Sequence, residues 1–245
     1  MAEHAIATRK RWLEARRDLL AAEKDLTRRS DQVAQLRRQL PWVRVDKTYV
    51  FDGRDGRRSL ADLFDGRRQL IVQHFMLTPG AEQGCPSCSY MADHTDGMTV
   101  HLAHRDVTFV AISRAPLADI ERFRQRMGWK FTWLSSHGTS FNYDFGVTMD
   151  ESVQPIEYNY RTLAESEARG ESFDTTKPQE LPGRSCFLMV DGRIFHTYSQ
   201  YARGLESTGG SYYFLDLTAL GRQEEWEEPK GRSDSVRSAT PDFST

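Results

Sequence analysis

The sequence lacks several features that would assign it to a membrane, secreted or nucleic-acid-binding class. No apolar run approaches the length of a membrane span, and no apolar stretch follows the basic residues at the N-terminus. Neither a transmembrane helix nor a secretory signal is therefore predicted. The net charge is only −2, which gives no electrostatic reason to expect nucleic acid or a membrane as partner. These absences predict a cytoplasmic protein.

Cysteine is also scarce, but its distribution is informative. Three cysteines in 245 residues do not make a disulfide framework. Two of them, Cys85 and Cys88, are three positions apart in the motif Cys-Pro-Ser-Cys. In a reducing compartment, such a close pair is more often catalytic or metal-binding than structural. The pair is therefore the first candidate for a functional site.

Shifts in composition predict three regions, 1–41, 42–221 and 222–245. Residues 8–40 carry apolar side chains at helical spacing, and no glycine or proline interrupts them before Pro41. Basic and acidic residues alternate along this arm, which indicates a packing helix with a solvated face. The arm can also pack across a second copy of the chain, as a homodimer contact. The last region is charged and rich in serine, and a loose tail is expected.

The central region predicts an α/β protein with a thioredoxin-like three-layer fold and a central mixed sheet. A short apolar run suits a buried strand, the cysteine pair then opens a helix, and a strand, a helix and a hairpin follow. An inserted loop region is expected at 150–182, where apolar residues are few. The predicted elements are strands 70–76, 107–112 and 131–134, helices 85–104 and 116–127, and a hairpin of 186–190 with 194–198.

The motif itself favours dithiol chemistry. At the first turn of a helix, free backbone N–H groups stabilise a thiolate, and a spacing of three brings the second sulfur to the same face. Pro86 occupies an early helical position where its missing N–H has little effect, and Gly84 leaves Cys85 uncrowded. The predicted function is thiol–disulfide oxidoreduction, in which Cys85 attacks, Cys88 resolves the mixed disulfide, and no cofactor is needed.

Metal binding is the alternative, because a lone C-x-x-C also forms half of a zinc site. No second C-x-x-C follows at zinc-finger spacing, which disfavours a structural zinc site. Cys186 begins a late strand, and His196 lies on the strand predicted to pair with it. Together with Cys85 and Cys88 these two residues could hold copper or zinc, since both metals accept thiolate and imidazole ligands.

Several short segments resemble a known bacterial family. They are residues 40–43 (LPWV), 74–76 (HFM), 84–88 (GCPSC), 113–116 (SRAP), 141–146 (FNYDFG) and 195–199 (FHTYS). From about residue 11 to residue 221, the chain resembles the family called domain of unknown function 899. Its members are often labelled predicted dithiol-disulfide oxidoreductases. The resemblance implies a thioredoxin-like fold, with a thiol, a disulfide or another small molecule as the reaction partner.

The chain departs from the better-known thioredoxin-like families at the positions that carry their chemistry. Thr78 and Glu82 occupy the places of the proline and threonine that precede a peroxiredoxin's reactive cysteine. Pro182 lies two residues before Arg184, near which a thioredoxin has its substrate-clamping proline. Arg184 matches the peroxiredoxin arginine, and this match predicts that it stabilises the Cys85 thiolate or holds an anionic substrate.

Overall fold

The computed structural model describes residues 5–222 and residue 224, so most of the predicted tail lies outside the described residues. The helices are α1 (Arg9–Arg38), α2 (Pro86–Ala92), α3 (Asp96–Ala103), α4 (Leu117–Met127), α5 (Phe141–Asp144), α6 (Leu163–Glu167) and α7 (Gly210–Leu215), with 3-10 helices at Asp62–Phe64 and Ala202–Thr208. The strands are β1 (Val43–Arg44), β2 (Val50–Gly53), β3 (Gly56–Ser59), β4 (Gln69–His74), β5 (Val107–Ser113), β6 (Thr132–Ser135), β7 (Thr148–Met149), β8 (Glu157–Tyr158), β9 (Arg161–Thr162), β10 (Gln179–Glu180), β11 (Gly183–Val190) and β12 (Arg193–Tyr201).

Eight of these strands form one mixed sheet in the order β1-β12-β11-β4-β5-β6-β2-β3. Strands β4, β5 and β6 are parallel, whereas β11 runs antiparallel to both β4 and β12. The hairpin β11–β12 turns through Asp191 and Gly192, which both have positive φ, as a tight hairpin turn requires. Parallel strands connected by helices and followed by this hairpin confirm the predicted thioredoxin-like fold.

Apolar side chains cover both faces of the sheet, which makes three layers. Because successive residues of a strand point to opposite faces, Leu70 and Val72 of β4 pack in one cluster with Phe187. Ile71, between them, contacts the other cluster, which contains Cys88 and Phe123 of α4. The cysteine pair therefore belongs to the Ile71 face of the sheet.

Helix α1 follows the prediction in length but not in packing. It spans 30 residues, Thr8 caps its first turn, and none of its residues is buried. Near its C-terminal end, Arg37 donates a hydrogen bond of 3.2 Å to the Tyr198 hydroxyl. Its apolar side chains thus remain largely exposed to solvent. Among the helices of the described residues, none combines the length and apolar character needed to cross a membrane.

The helix predicted over 85–104 is divided into α2 and α3, with a break at residues 93–95. Two aspartates near the break bind the segment that precedes β6. Asp93 accepts a hydrogen bond of 2.8 Å from the Trp129 indole, and Asp96 accepts backbone N–H groups of Lys130 and Phe131 at 2.8 Å. These tertiary contacts, which local spacing does not reveal, accompany the break between the two helices.

The predicted inserted region contains short elements with a core of their own. Met149, Ile156 and Tyr158 pack with Tyr201 of β12 in a third apolar cluster. Within the same region, the buried Glu180 carboxylate pairs with Arg114 from the loop after β5. The insertion is therefore fixed to the main sheet by apolar packing and by one buried ion pair.

Candidate functional site

Cys85 lies immediately before the first residue of α2, on the Ile71 face of the sheet. Its backbone N–H donates to the Met76 carbonyl at 3.0 Å, and Pro86 is the first helical residue. The Ser89 N–H and hydroxyl both donate to the Cys85 carbonyl at 3.0 Å. These bonds fix the backbone on both sides of the first sulfur.

Gly84 has a reason to be glycine that differs from the predicted one. An added Cβ would clash with the Phe75 ring and would lie 2.9 Å from the Phe123 ring. The glycine therefore allows the loop before Cys85 to approach two buried aromatic side chains. Its role is close packing of the loop, rather than clearing space around the sulfur.

We expect Gly84→Ala to lower the free energy of unfolding by about 1–3 kcal/mol, because an extra methyl in a filled core displaces its neighbours. Urea denaturation of the reduced protein measures this change. Gly97→Ala is the matched control, since nothing lies within 4 Å of the added Cβ in α3. That substitution should be neutral or stabilising by up to about 1 kcal/mol. Equal losses in both variants would contradict the packing role of Gly84.

The surroundings of Cys85 favour its thiolate. Hydrogen bonding from the Cys88 thiol is the largest effect, and it lowers the pKa of Cys85 to about 6 against the opposing effect of burial. The backbone N–H groups of Cys88 and Ser87 and the Ser87 hydroxyl lower this pKa further. A half-buried cysteine with such a pKa is largely a thiolate at neutral pH.

Cys88 has the opposite character. It is only 2% exposed, and its pKa is raised, first by its hydrogen bond to Cys85 and then by burial. The charge of Arg184 acts in the other direction and lowers the pKa of Cys88. The two sulfurs therefore differ. That of Cys85 is ionised and partly accessible, whereas that of Cys88 is protonated and buried.

Arg184 is held on β11 by two neighbouring side chains. Its side chain is buried on β11, its Nε donates to the Gln73 Oε1 atom at 2.9 Å, and Nη1 donates to the Thr208 hydroxyl. Burial lowers the pKa of Arg184 to about 10, although electrostatic interaction with Cys186 and Cys88 raises it. The charge of Arg184 thus favours the thiolate of Cys88, and Arg184 is not among the residues that line the cavity beside the pair.

Both cysteines line a cavity of about 260 Å³. Its other walls come from α2, from Pro182 and from the segment after β12. The lining residues outside the motif are Met91, Pro182, Ala202, Arg203, Leu205, Glu206 and Tyr212. Pro182 therefore reaches the cysteine pair despite its offset from Arg184. A small, mostly apolar ligand has access to Cys85 from this cavity.

The predicted set of metal ligands is not assembled. His196 contacts Phe187 and Phe145 on the face of the sheet that carries Leu70 and Val72. Its Nε2 atom forms a hydrogen bond of 2.7 Å with the Ser199 hydroxyl. The cysteine pair lies on the opposite face. Over residues 5–222 and residue 224, no three His, Cys, Asp or Glu side chains are grouped to hold a metal ion. The alternation of side chains across the strand separates His196 from the thiols.

Cys186 is free, and it lines a different cavity, of about 480 Å³, with Arg37 and Trp42. A third cavity, of about 700 Å³, is lined by His196, Tyr160 and other residues near the start of β1. Neither cavity contains Cys85 or Cys88. Of these three cavities, only the one of about 260 Å³ is lined by the cysteine pair.

Several residues around the pair are absent from the sequence predictions. Gln73 accepts hydrogen bonds from Arg184. The sequence marks this residue as unusual, because it is a polar residue inside an apolar strand. Thr208 and Leu205 lie on the 3-10 helix after β12, where no apolar periodicity marks an element. Only the folded chain shows that this segment faces α2.

Comparison with solved structures gives distant matches. Peroxidoxin BcpB from Mycobacterium tuberculosis is 15% identical with a TM-score of 0.46, and the match covers 69% of this chain and 93% of that one. A peroxiredoxin Q variant of Xanthomonas campestris is 10% identical, with a TM-score of 0.46 and coverages of 71% and 98%. A peroxiredoxin 6 variant of Arenicola marina is 11% identical, with a TM-score of 0.45 and coverages of 77% and 80%.

These likenesses are too distant to indicate an activity. The fold is assigned from the strand order of the sheet and not from these matches. A search of curated protein sequences finds no match to this chain. A family model matches nearly the whole length, and it agrees with the resemblance of the short segments. The chain belongs to the bacterial protein family of unknown function DUF899, whose model matches residues 1–239.

Proposed function

We propose that this protein is a thiol–disulfide oxidoreductase that works through Cys85 and Cys88. The observation that carries the proposal is the asymmetry of the pair beside a cavity: the pKa of Cys85 is lowered to about 6, whereas that of Cys88 is raised. Nucleophilic attack requires a thiolate, and resolution requires a second sulfur close by. The pair meets both requirements without a cofactor.

In the proposed reaction, the Cys85 thiolate attacks one sulfur of a disulfide substrate. The substrate S–S bond breaks, the leaving thiolate takes up a proton, and Cys85 is held in a mixed disulfide. Cys88 then loses its proton and attacks the Cys85 sulfur, which releases the second substrate thiol. The substrate gains two electrons and the protein gains the Cys85–Cys88 disulfide. A thiol reductant must restore the pair before the next cycle.

The surrounding residues support the order of these steps. Once Cys85 is bonded to the substrate, it no longer accepts the hydrogen bond that raises the pKa of Cys88. Arg184 remains near Cys88, and its charge favours the second thiolate. Arg184 is thus a positioning residue for the resolving step. The apolar walls of the cavity suit a small, uncharged disulfide.

The test is a thiol count on reduced protein before and after mild oxidation with diamide. The wild-type chain should fall from three free thiols to one, and dithiothreitol should restore all three. Cys186→Ser is the matched control and should still lose two thiols. Cys85→Ser should form no internal disulfide. Cys88→Ser, treated with 5,5′-dithiobis(2-nitrobenzoate) in place of diamide, should release one thionitrobenzoate and retain the other in a stable mixed disulfide with Cys85. A pair that does not oxidise reversibly, or oxidation that depends on Cys186, would refute the proposal.

A further inference from the structure

Helix α1 presents a long apolar stripe that no other described part of the chain buries. The helix is 30 residues long, which corresponds to about 45 Å. Leu26 is 71% exposed and Leu19 is 55% exposed, and Trp12 and Leu36 are also exposed. A helix of this length with exposed apolar residues gains most of its stability from a packing partner. The stripe therefore indicates a missing partner.

The apolar residues of the stripe recur every seven positions. Trp12, Leu19, Leu26 and Val33 form the first row, at the heptad position called a. Three positions after these residues lie Ala15, Ala22, Arg29 and Leu36, at the heptad position called d. Such a repeat, sustained over about four heptads, is the pattern of a coiled-coil seam. Arg29 interrupts the second row, and its guanidinium donates to Gln32 at the edge of the seam, at 3.2 Å.

Charges are distributed in a way that suits pairing between identical helices. The residues farthest from the seam are mostly basic, namely Lys10, Arg17, Lys24 and Arg38, with Asp31 among them. The residues beside the seam have both signs, namely Arg11, Arg16, Asp18, Glu23, Asp25 and Arg37. Like charges therefore point away from the seam, while its margins are close to neutral. The apolar stripe is also narrow, unlike the broad apolar face of a helix that lies on lipid.

We propose that α1 pairs with α1 of a second copy of this chain as an antiparallel coiled coil. A parallel pair would place Arg29 against Arg29 of the partner subunit inside the seam, whereas an antiparallel pair places each Arg29 against Leu19 of the partner subunit. An antiparallel pair with aligned ends places Trp12 against Leu36 of the partner. It also places Leu26 against the partner's Ala22 and Val33 against the partner's Ala15. Leu26 and Val33 thus each face an alanine, and the two arginines of the seam are kept apart.

The first experiment measures the mass of the full-length protein by size-exclusion chromatography with light scattering. A monomer is 28.2 kDa, and the wild type should elute at twice that mass. Leu26→Glu should shift the protein to the monomer mass. Leu20→Glu is the matched control, because Leu20 is exposed on the same helix but lies off the seam, and this variant should remain a dimer.

Near-ultraviolet circular dichroism establishes that both variants keep the folded body. A monomeric wild type at tens of micromolar, or equal effects of the two substitutions, would overturn the proposal. Binding of a monomeric wild type to vesicles of anionic phospholipid would also overturn it, since the stripe would then be a membrane-binding surface.

The orientation is tested by disulfide cross-linking in a background where the three native cysteines are serines. Trp12→Cys combined with Leu36→Cys should give a covalent dimer on mild oxidation, and Trp12→Cys alone should not. In an antiparallel pair, the two residues at position 12 are separated by most of the helix length. Efficient cross-linking of Trp12→Cys alone would overturn the antiparallel arrangement.

Discussion

Cys85 is expected to react with iodoacetamide at half its maximal rate near pH 6, because its pKa is lowered to about 6 by hydrogen bonds that favour the thiolate. The rate should be low below that pH and should reach a plateau above pH 7. Cys88→Ala removes the largest of these hydrogen bonds and leaves the backbone donors in place. We expect this variant to react roughly tenfold more slowly at pH 7, because the thiolate fraction falls as the pKa returns toward its ordinary range.

Cys88→Ser is the matched control for that experiment. A serine hydroxyl can still donate to the Cys85 thiolate, so its pH profile should lie between those of the wild type and Cys88→Ala. Mass spectrometry of the peptide containing Cys85 separates its labelling from that of Cys186, whose pKa is raised by burial. A Cys88→Ala profile identical to that of the wild type would show that Cys88 does not tune Cys85.

Glu180→Ala should lower the free energy of unfolding by about 3 kcal/mol, because it leaves the Arg114 guanidinium without its carboxylate partner. The Glu180 side chain is only 3% exposed. Besides Arg114, its carboxylate accepts the Asn142 amide at 3.2 Å and the Thr148 hydroxyl at 2.8 Å. The loss should appear as a lower midpoint in urea denaturation.

Two further variants show whether the effect comes from the buried charge. Glu180→Gln keeps the shape of the side chain and should be less destabilising than Glu180→Ala. Arg122→Ala breaks an exposed pair with Asp119, and it should change the free energy of unfolding by less than about 1 kcal/mol. A loss at Arg122 as large as the loss at Glu180 would contradict a special role for the buried pair.

Much of the fold follows from local pattern. The hairpin of β11 and β12 is predictable because Asp191 and Gly192 tolerate the positive φ of its turn. The length of α1 is predictable because helical spacing continues without glycine or proline. Other features depend on distant contacts. The break between α2 and α3 coincides with contacts that Asp93 and Asp96 make to the segment before β6, and no sequence period records those contacts.

The sequence by itself determined the candidate pair, because Cys85 and Cys88 are three positions apart and one helical turn brings them to the same face. Only the tertiary structure decided what surrounds that pair. Strand register placed His196 on the opposite face of the sheet, and it aligned Arg184 with Gln73. The chain after β12 contributes Leu205 and Tyr212 to the cavity beside the pair. Local spacing fixes contacts within a turn, whereas contacts between distant segments depend on how the whole chain packs.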